Sequence, residues 1–490
     1  MNAYQELENR FRTIGRLQEA SAILGWDQET MMPHGSAESR AEQLAALENI
    51  VHELIIDQRT SEWLEKAAPA EAWQKSNLIE MRRQWRSRAA IPTDLAANLA
   101  RQSSIAAMSW REGREKKDFK AFLPEMEKLL SLTQEKAAIL AKDSGQNPYD
   151  ALLDLYEPGM AQNFIDPLFA SLQEFLRNFL PQVLAEQKSV PKPKGPFPVE
   201  KQQALCRRLM AEAGFDFNKG RLDVSTHPFC GGTADDVRIT TRYNENDFAQ
   251  SLMGLLHETG HALYEMGLPV EWRGLPIGQA RGMALHESQS LLLEMQACRS
   301  REFMTYLTPL LQEYFGGDPD QWQADKIYRA YTQVRPSLIR TEADEVTYPL
   351  HIILRYRLER MLVAGELKLA DLPEAFNSGM QELLGIRPNH DAEGCWQDIH
   401  WPSGSFGYFP TYTLGAMTAA QLFQAACKTS PEIKPSLATG NFAPLVAWLR
   451  ENVHRHASSK TTAEIIKGAT GKDLTIDAFT RHLQHRYGAA

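Results

Sequence analysis

The sequence predicts a mostly α-helical protein that contains one small β-sheet near residues 221–243. Apolar residues recur at helical spacing through the first 145 residues and again after Asn246, as in amphipathic helices that pack on a core. Only two short runs, residues 222–226 and 237–243, have the composition expected of strands. They flank the glycine-containing residues 230–233, which the pattern predicts to form a turn.

The composition is that of an ordinary globular protein with a negative charge. Of 490 residues, 43% are hydrophobic and 23% are charged, and the formal net charge is −9. These values exclude a disordered chain and argue against nucleic acid as the main partner. No apolar stretch approaches the roughly 18 residues that cross a bilayer, and the N-terminus lacks the pattern of a secretory signal. Five widely spaced cysteines also favour a reducing compartment, so we expect a cytoplasmic protein that does not bind membranes.

Several breaks divide the helical pattern. A first helix is expected over residues 4–24 with Gly25 as its stop, followed by a break over residues 26–33 that ends in Pro33. Further helices are expected from near Ser36 to Ile50 and over residues 122–140. Residues 189–199, rich in Pro and Lys, are typical of an extended connector, and residues 389–409 of a loop. Four arginines are expected to form a solvated helix face: Arg82, Arg83, Arg86 and Arg88.

The string His257-Glu258-Thr259-Gly260-His261 is the strongest functional signal in the chain. Residues four apart on a helix lie one turn apart on the same face, so the two imidazoles can bind one Zn²⁺. Glu258 flanks that face and can take a proton from a water that the metal activates. A random chain of this composition would contain His-Glu-x-x-His only about 0.02 to 0.03 times. The string therefore predicts a zinc hydrolase.

The surroundings of this string predict a helix. Apolar residues recur at helical spacing before and after it. Asn244 or Asn246 can serve as the N-cap. Gly267 and Pro269 follow in the order that typically closes a helix.

A catalytic zinc needs a third protein ligand and one open position. The pattern that supplies a third His six residues after the second is absent. Glu287 follows His261 by 26 residues, which allows the first helix to end and a second helix to return, so Glu287 is the preferred third ligand. His286 is the rival and is better suited to contact a ligand or the substrate. Glu294 and Glu265 are expected to be solvated or ion-paired.

Peptide hydrolysis at such a metal needs further polar groups. Residues 394–412 offer His400, Tyr408 and Tyr412, whose polar tips suit the stabilisation of an oxyanion. An enzyme that cuts from the C-terminus must also pair the substrate carboxylate with a cation, usually Arg. Arg238 and Arg340 are both candidates, and the residues alone do not choose between them.

Several strings together resemble the carboxypeptidase Taq family of zinc metallocarboxypeptidases, and the resemblance extends over nearly the whole chain. The matching segments are residues 26–33 (WDQETMMP), 147–159 (NPYDALLDLYEPG), 227–229 (HPF), 236–240 (DVRIT), 257–261 (HETGH), 286–289 (HESQ), 339–344 (IRTEAD) and 394–412. The resemblance implies a saddle-like helical fold with a deep groove, similar in outline to neurolysin and angiotensin-converting enzyme. It further implies one catalytic unit over residues 1–490, with a helical part over 1–190 and a metal- and substrate-binding part over 200–490.

The resemblance also implies a homodimer that releases single C-terminal residues from peptides with broad specificity. Some relatives work with cobalt in place of zinc, and the ligand set admits either ion. Carried over by motif, the metal ligands are His257, His261 and Glu287, and the general base is Glu258. The preferred carboxylate clamp is Arg340, with Arg238 and His227 lining the site, and the oxyanion and backbone binders are His400, Tyr408 and Tyr412.

Two alternatives stay open at this point. A dipeptidyl carboxypeptidase or an oligoendopeptidase of the same helical type would use the same metal chemistry, although the Arg340 motif favours single-residue release. A binding protein with a structural zinc is disfavoured, because such sites usually have four protein ligands and no second Cys or His cluster is apparent.

Overall fold

Helices form nearly all of the regular structure in residues 2–225 and 227–488, the part of the chain that the computed structural model describes. This confirms the predicted mostly helical class with one small sheet. In chain order the helices are α1 (Ala3–Thr30), α2 (Ala37–Ile56), α3 (Gln58–Lys66), α4 (Ala72–Ala89), α5 (Thr93–Lys116), α6 (Leu123–Ser144), α7 (Pro148–Leu153), α8 (Gln162–Glu186), α9 (Val199–Ala213), α10 (Phe248–Met266), α11 (Met283–Leu291), α12 (Arg301–Phe315), α13 (Ala324–Tyr331), α14 (Tyr348–Ala364), α15 (Leu372–Leu384), α16 (Pro410–Thr429), α17 (Ile433–Leu437), α18 (Ala443–Asn452), α19 (Thr462–Thr470) and α20 (Asp477–Tyr487).

The first helix is longer than its sequence pattern predicts. We expected Gly25 to stop it, but α1 continues to Thr30. Trp26 explains the difference, because its ring is buried and lies against the guanidinium groups of Arg238 and Arg221, with ring-centroid distances of 4.4 and 5.1 Å. This packing outweighs the cost of about 1 kcal/mol for a glycine inside a helix.

Three strands form the sheet: β1 (Gly220–Val224), β2 (Phe229–Thr233) and β3 (Asp236–Thr241). Their order is β1-β3-β2, with β1 parallel and β2 antiparallel to β3. The two predicted runs correspond to β1 and β3, and Thr226 lies outside the described residues. The predicted turn over residues 230–233 is wrong, because these residues pair with β3 as strand β2, and the turn is formed by residues 234–235.

The apolar core has two large parts that meet at α11 and α16. One part contains residues from α9, α10, α12 and the sheet, and the other contains residues from α6, α8, α14 and α15. Helix α16 contributes Leu422 to the first part and Leu414 to the second, and α11 likewise contributes Leu285 and Ala284. A smaller core joins α1, α2 and α4 to the segment between α10 and α11. Side chains of α11 and α16 therefore pack against both large parts of the core.

Two predicted surface features agree with the structure in part. Residues 189–198 contain no helix or strand, as the connector prediction requires, and α9 begins at Val199. The four arginines of α4 are tied to other elements rather than simply solvated, through Leu64, Asp154, Asp143 and Glu48. Among the described residues, no helix has the length and apolar character needed to cross a bilayer.

Candidate active site

Helix α10 presents the two motif histidines. Its N-cap is Asp247, whose carboxylate accepts from the N–H of Ala249 at 3.0 Å. We expected Asn244 or Asn246, but the side chain of Asn244 instead accepts from the N–H of Asn246 in the preceding turn. Gly267 is the C-cap, as predicted.

A close approach of α10 to α11 brings the motif to Glu287. A Cβ atom on Gly260 would lie 2.4 Å from the carbonyl oxygen of Gln289 on α11, so the helices touch backbone to backbone at this point. On the other side of α11, a Cβ atom on Gly415 of α16 would lie 2.8 Å from the Cβ atom of Glu287. Two glycines therefore allow α10, α11 and α16 to pack tightly around Glu287.

The three predicted metal ligands converge. Glu287 Oε2 lies 3.7 Å from His257 Nε2 and 3.4 Å from His261 Nε2, and one ligand atom from each residue lies within 4.8 Å of the others. Tetrahedral ligands on a zinc ion with bonds of 2.0 to 2.1 Å are separated by roughly 3.4 Å. The side chains therefore have the type and spacing that a zinc ion requires.

A carboxylate holds the other ring nitrogen of His257. Glu294 Oε2 lies 3.0 Å from His257 Nδ1, and Glu294 Oε1 accepts from Arg299 at 2.8 Å. Glu294 is buried and ion-paired, which confirms the ion-paired role expected for it. It lies in a π-helical segment (Leu292–Cys298) that follows α11. Such segments occur frequently at functional sites.

The second motif histidine has a different partner. His261 Nδ1 lies 2.6 Å from His286 Nδ1, and His286 Nε2 lies 2.8 Å from Glu265 Oε1. His286 thus contacts the nitrogen of His261 that faces away from Glu287. Because His286 lies behind a candidate ligand, the structure favours Glu287 over His286 as the third ligand.

Negative charge surrounds the two motif histidines. Glu258, Glu287 and Glu294 are all buried. Burial, together with the charges of Glu287 and Glu294, raises the pKa of Glu258 to about 7. Burial alone would lower the pKa of His257, but the three carboxylates outweigh it and raise that pKa to about 10 in the metal-free chain. A divalent cation would offset this concentration of buried carboxylates, so both the charges and the ligand geometry fit a metal.

The polar residues predicted within residues 394–412 lie beside α11. Tyr412 stands on α16, and its hydroxyl lies 3.0 Å from His400 Nε2. The Tyr408 ring contacts that of Tyr412 at a centroid distance of 5.3 Å, and the Tyr408 hydroxyl lies 3.8 Å from the sulfur of Met283 at the start of α11. Burial, with the nearby charge of Arg340, lowers the pKa of His400 to about 4. This histidine is therefore neutral at physiological pH.

Arg340 is buried and held from several directions. Its Nε and Nη2 donate to Asp398 Oδ1 at 3.0 and 2.8 Å, and its Nη1 donates to the Tyr348 hydroxyl at 3.0 Å. Asp398 Oδ2 accepts from Arg355 Nε at 2.8 Å. Burial would raise the pKa of Asp398, but the two guanidinium groups outweigh it and hold that pKa far below its usual range. Two buried cations thus share one carboxylate.

Arg238 and His227 occupy the sheet region. Arg238 on β3 forms two hydrogen bonds to Asp236, at 3.0 and 2.7 Å, and stacks on Trp26. The guanidinium of Arg238 is thus occupied by a carboxylate and an aromatic ring. His227 is exposed just before β2, and its carbonyl accepts a hydrogen bond from Ser225.

The family of this chain follows from comparison with known proteins. The sequence profile of the carboxypeptidase Taq (M32) metallopeptidases matches residues 6–487. The chain belongs to this family. It is therefore a metallocarboxypeptidase, which is a peptide hydrolase, as the sequence predicted.

Relatives of this M32 metallocarboxypeptidase match along its whole length. It is 40% identical to thermostable carboxypeptidase 1 of Thermus thermophilus, covering 99% of this chain and 98% of the relative. Carboxypeptidase 1 of Bacillus subtilis is 37% identical, with coverage of 99% and 97%. Among solved structures, metallocarboxypeptidase 1 of Trypanosoma cruzi superposes with a TM-score of 0.96 at 41% identity, and the M32 carboxypeptidase of Deinococcus radiodurans R1 with 0.94 at 33% identity; each pair covers 99% of both chains.

Two residues that contact the candidate residue Arg340, directly or through a shared carboxylate, were not predicted from the sequence. Asp398 lay inside the loop string without an assigned role, and Arg355 was not considered. A signal for Arg355 exists in its surroundings, because it follows Ile352, Ile353 and Leu354 on a helix that is apolar on most sides. A charged residue enclosed in that way needs a buried partner, although the sequence does not say which carboxylate provides it.

Proposed function

We propose that this metallocarboxypeptidase removes one amino acid at a time from the C-terminus of peptides, with broad specificity and a zinc ion bound by His257, His261 and Glu287. The buried and only partly neutralised Arg340, close to Tyr412, carries the proposal of C-terminal recognition. The convergence of two imidazole nitrogens and one carboxylate oxygen supports zinc. Cobalt accepts the same ligand types, so we expect it to substitute.

Each polar group has a proposed part in the reaction. A bound zinc ion would polarise the scissile carbonyl and lower the pKa of water. Glu258, with a carboxyl pKa raised towards neutrality, is suited to accept the proton of the attacking water and pass it to the leaving amine. Tyr412 and Tyr408 keep their hydroxyl protons, because burial raises both pKa values, and they can donate hydrogen bonds to the developing oxyanion. Neutral His400 holds the Tyr412 hydroxyl in place.

Charge and hydrogen-bond counting support Arg340 as the clamp for the substrate carboxylate. A guanidinium has five N–H donors, and Asp398 and Tyr348 use three of those of Arg340. One N–H on each terminal nitrogen is left, which is the fork that binds a carboxylate through two hydrogen bonds. Because Arg340 and Arg355 share one carboxylate, one positive charge remains to attract an anion. Arg238, by contrast, is paired one to one with Asp236, so we propose that it and His227 line the site without clamping the terminus.

Digestion of a peptide of about ten residues tests the proposal. Mass spectra should show a ladder of single losses from the C-terminus, and a chelator should stop it. Blocked benzyloxycarbonyl-Ala-Arg should release arginine. Release of dipeptides, or internal cleavage, would establish the dipeptidyl carboxypeptidase or the oligoendopeptidase instead.

The role of Glu258 is tested by Glu258→Gln. The variant should bind the same amount of zinc but lose about 10²- to 10⁴-fold in kcat, the usual contribution of a general base. Glu313→Gln, at an exposed position on α12, serves as the matched control and should keep the full rate. Full activity of Glu258→Gln would contradict the mechanism.

The proposal also covers the domain organisation, the cellular location and the oligomeric state. Coverage of 97–98% of the curated relatives' own length supports one catalytic unit over residues 1–490, with a helical part over 1–190 and a metal- and substrate-binding part over 200–490. Five unpaired cysteines support a cytoplasmic location. We also propose a homodimer on the family resemblance, which light scattering after size exclusion tests directly.

A further inference from the structure

We infer that His286 and Glu265 form a support that fixes the tautomer and the orientation of His261 as a metal ligand. This inference rests on the proposed metal site and adds two positioning residues to it. His286 belongs to α11, whereas His261 and Glu265 lie one turn apart on α10. The side chain of His286 therefore lies between two residues of the other helix, in contact with both.

The distances along the series His261, His286 and Glu265 indicate which ring nitrogens carry protons. Two ring nitrogens 2.6 Å apart, His261 Nδ1 and His286 Nδ1, need one proton between them, because a hydrogen bond joins a donor to an acceptor. A metal ligand offers an unprotonated nitrogen, so Nε2 of His261, which faces Glu287, carries no proton. The proton of a neutral His261 then lies on Nδ1, which donates to His286.

The same reasoning extends to the next contact. His286 accepts at Nδ1, so its own proton lies on Nε2, which is 2.8 Å from Glu265 Oε1. That nitrogen donates to the carboxylate, and each donor in the chain has an acceptor. The reverse direction would put the proton of His261 on Nε2, the nitrogen that must bind the metal. Only one arrangement of protons therefore agrees with metal binding.

Packing keeps the His286 ring in this position. The Tyr264 ring contacts it at a centroid distance of 5.2 Å, and the His261 ring at 4.7 Å. Glu287 follows His286 directly in the chain, so the turn of α11 that offers the third ligand also holds the second. The bridge thereby fixes the spacing between the helix with two ligands and the helix with one.

The two histidine ligands are supported by different chemistry. His257 contacts a carboxylate directly, and that carboxylate is neutralised by Arg299. His261 reaches a carboxylate only through an intervening histidine, and the side chain of Glu265 is 29% exposed. Outer partners of metal ligands typically contribute 10- to 100-fold in metal affinity. We therefore expect the His286 bridge to contribute within that range.

Zinc affinity, measured by competition with a chromophoric chelator, tests the inference without reference to activity. His286→Leu should weaken zinc binding about 10- to 100-fold. His286→Asn keeps an oxygen close to the position of Nδ1, so it should weaken binding less. Glu265→Leu should also weaken binding, whereas Glu265→Gln keeps an acceptor and should stay closer to the wild type. His390→Leu, in the loop after α15, is the matched control and should not change the affinity.

Cobalt loading gives a second readout. The visible absorption of the cobalt form should change in His286→Leu, because the His261 ring is free to turn, and should return towards the wild-type spectrum in His286→Asn. Circular dichroism identifies any variant that fails to fold. The inference is overturned if folded His286→Leu and Glu265→Leu both bind zinc within threefold of the wild type with unchanged cobalt spectra, and Glu265→Leu alone decides if His286→Leu does not fold. The variant His261→Ala distinguishes an error in the His286 inference from an error in the proposed metal site. If His261→Ala binds zinc as tightly as the wild type, the metal site itself is misassigned.

Discussion

Replacing Arg340 with methionine tests which arginine binds the C-terminus. Arg340→Met keeps a long side chain in the cage formed by Tyr348, Tyr412 and Phe409 but removes the charge. The fold should tolerate the change, because Asp398 keeps its second partner, Arg355. A one-to-one buried pair then replaces a carboxylate shared by two cations.

The expected size of the effect follows from the hydrogen bonds of Arg340. Two N–H groups are left for the substrate carboxylate after those to Asp398 and Tyr348 are counted. A hydrogen bond to a charged group is worth about 1.5 to 3 kcal/mol, so two are worth about 3 to 6 kcal/mol. Since about 1.4 kcal/mol is tenfold, kcat/KM should fall by about 10²- to 10⁴-fold.

The assay compares benzyloxycarbonyl-Ala-Arg with its C-terminal amide. The wild type should strongly prefer the free acid, and Arg340→Met should lose most of that preference. Arg238→Met is the matched variant, and it should keep the preference because Arg238 is already paired with Asp236. If Arg340→Met keeps the preference within threefold and Arg238→Met loses it, the clamp is Arg238 and the charge argument is wrong.

Three further predictions concern stability. Burial raises the pKa of Glu359 from 4.5 to about 7, so the folded state binds the carboxyl proton more tightly than the unfolded state does. The free energy of unfolding should therefore fall by about 3 kcal/mol as pH rises from 4.5 to 7. Glu359→Gln should remove that part of the pH profile of urea unfolding, and parallel profiles would contradict the reasoning. Asp398→Asn leaves two buried guanidinium groups without a carboxylate and should lower the free energy of unfolding by about 3 to 5 kcal/mol. Asp143→Asn, at an exposed ion pair, should lower it by less than about 1 kcal/mol. Equal losses in the two variants would refute the distinction between the buried and the exposed pair. Chelation of the metal should lower the melting temperature, because a ligand that binds only the folded state stabilises it, and added zinc should restore it; an unchanged melting curve would argue against a folded-state metal site.

Glu359 also shows how the late loop is kept in place. Its carboxylate accepts from Trp401 Nε1 and from the Tyr149 hydroxyl, both at 2.8 Å, and from the N–H of Gly407. These contacts anchor the loop on both sides of Phe406, between His400 and Tyr408. A buried carboxylate far from the metal cluster in sequence therefore helps to position the residues proposed to bind the substrate.

Local patterns were sufficient for the predictions that depend on neighbours in the chain. Helical periodicity indicated the helices, and the four-residue spacing of His257 and His261 was enough to predict two imidazoles on one helix face. Local patterns failed where packing outweighed them. Gly25 did not stop α1, because Trp26 is buried against arginines of the sheet, and residues 230–233 became a strand through pairing with β3.

The amino-acid sequence by itself determined the helical class, the metal-binding string and the family, because each of these is written in short-range spacing or in strings of residue types. Only the tertiary structure decided that Asp398 joins Arg340 to Arg355 and that His286 lies between His261 and Glu265. Those contacts join elements distant in the chain. The second of them depends on the close approach of α10 and α11 that Gly260 allows. The position of a buried charge depends on partners that only the folded chain brings together.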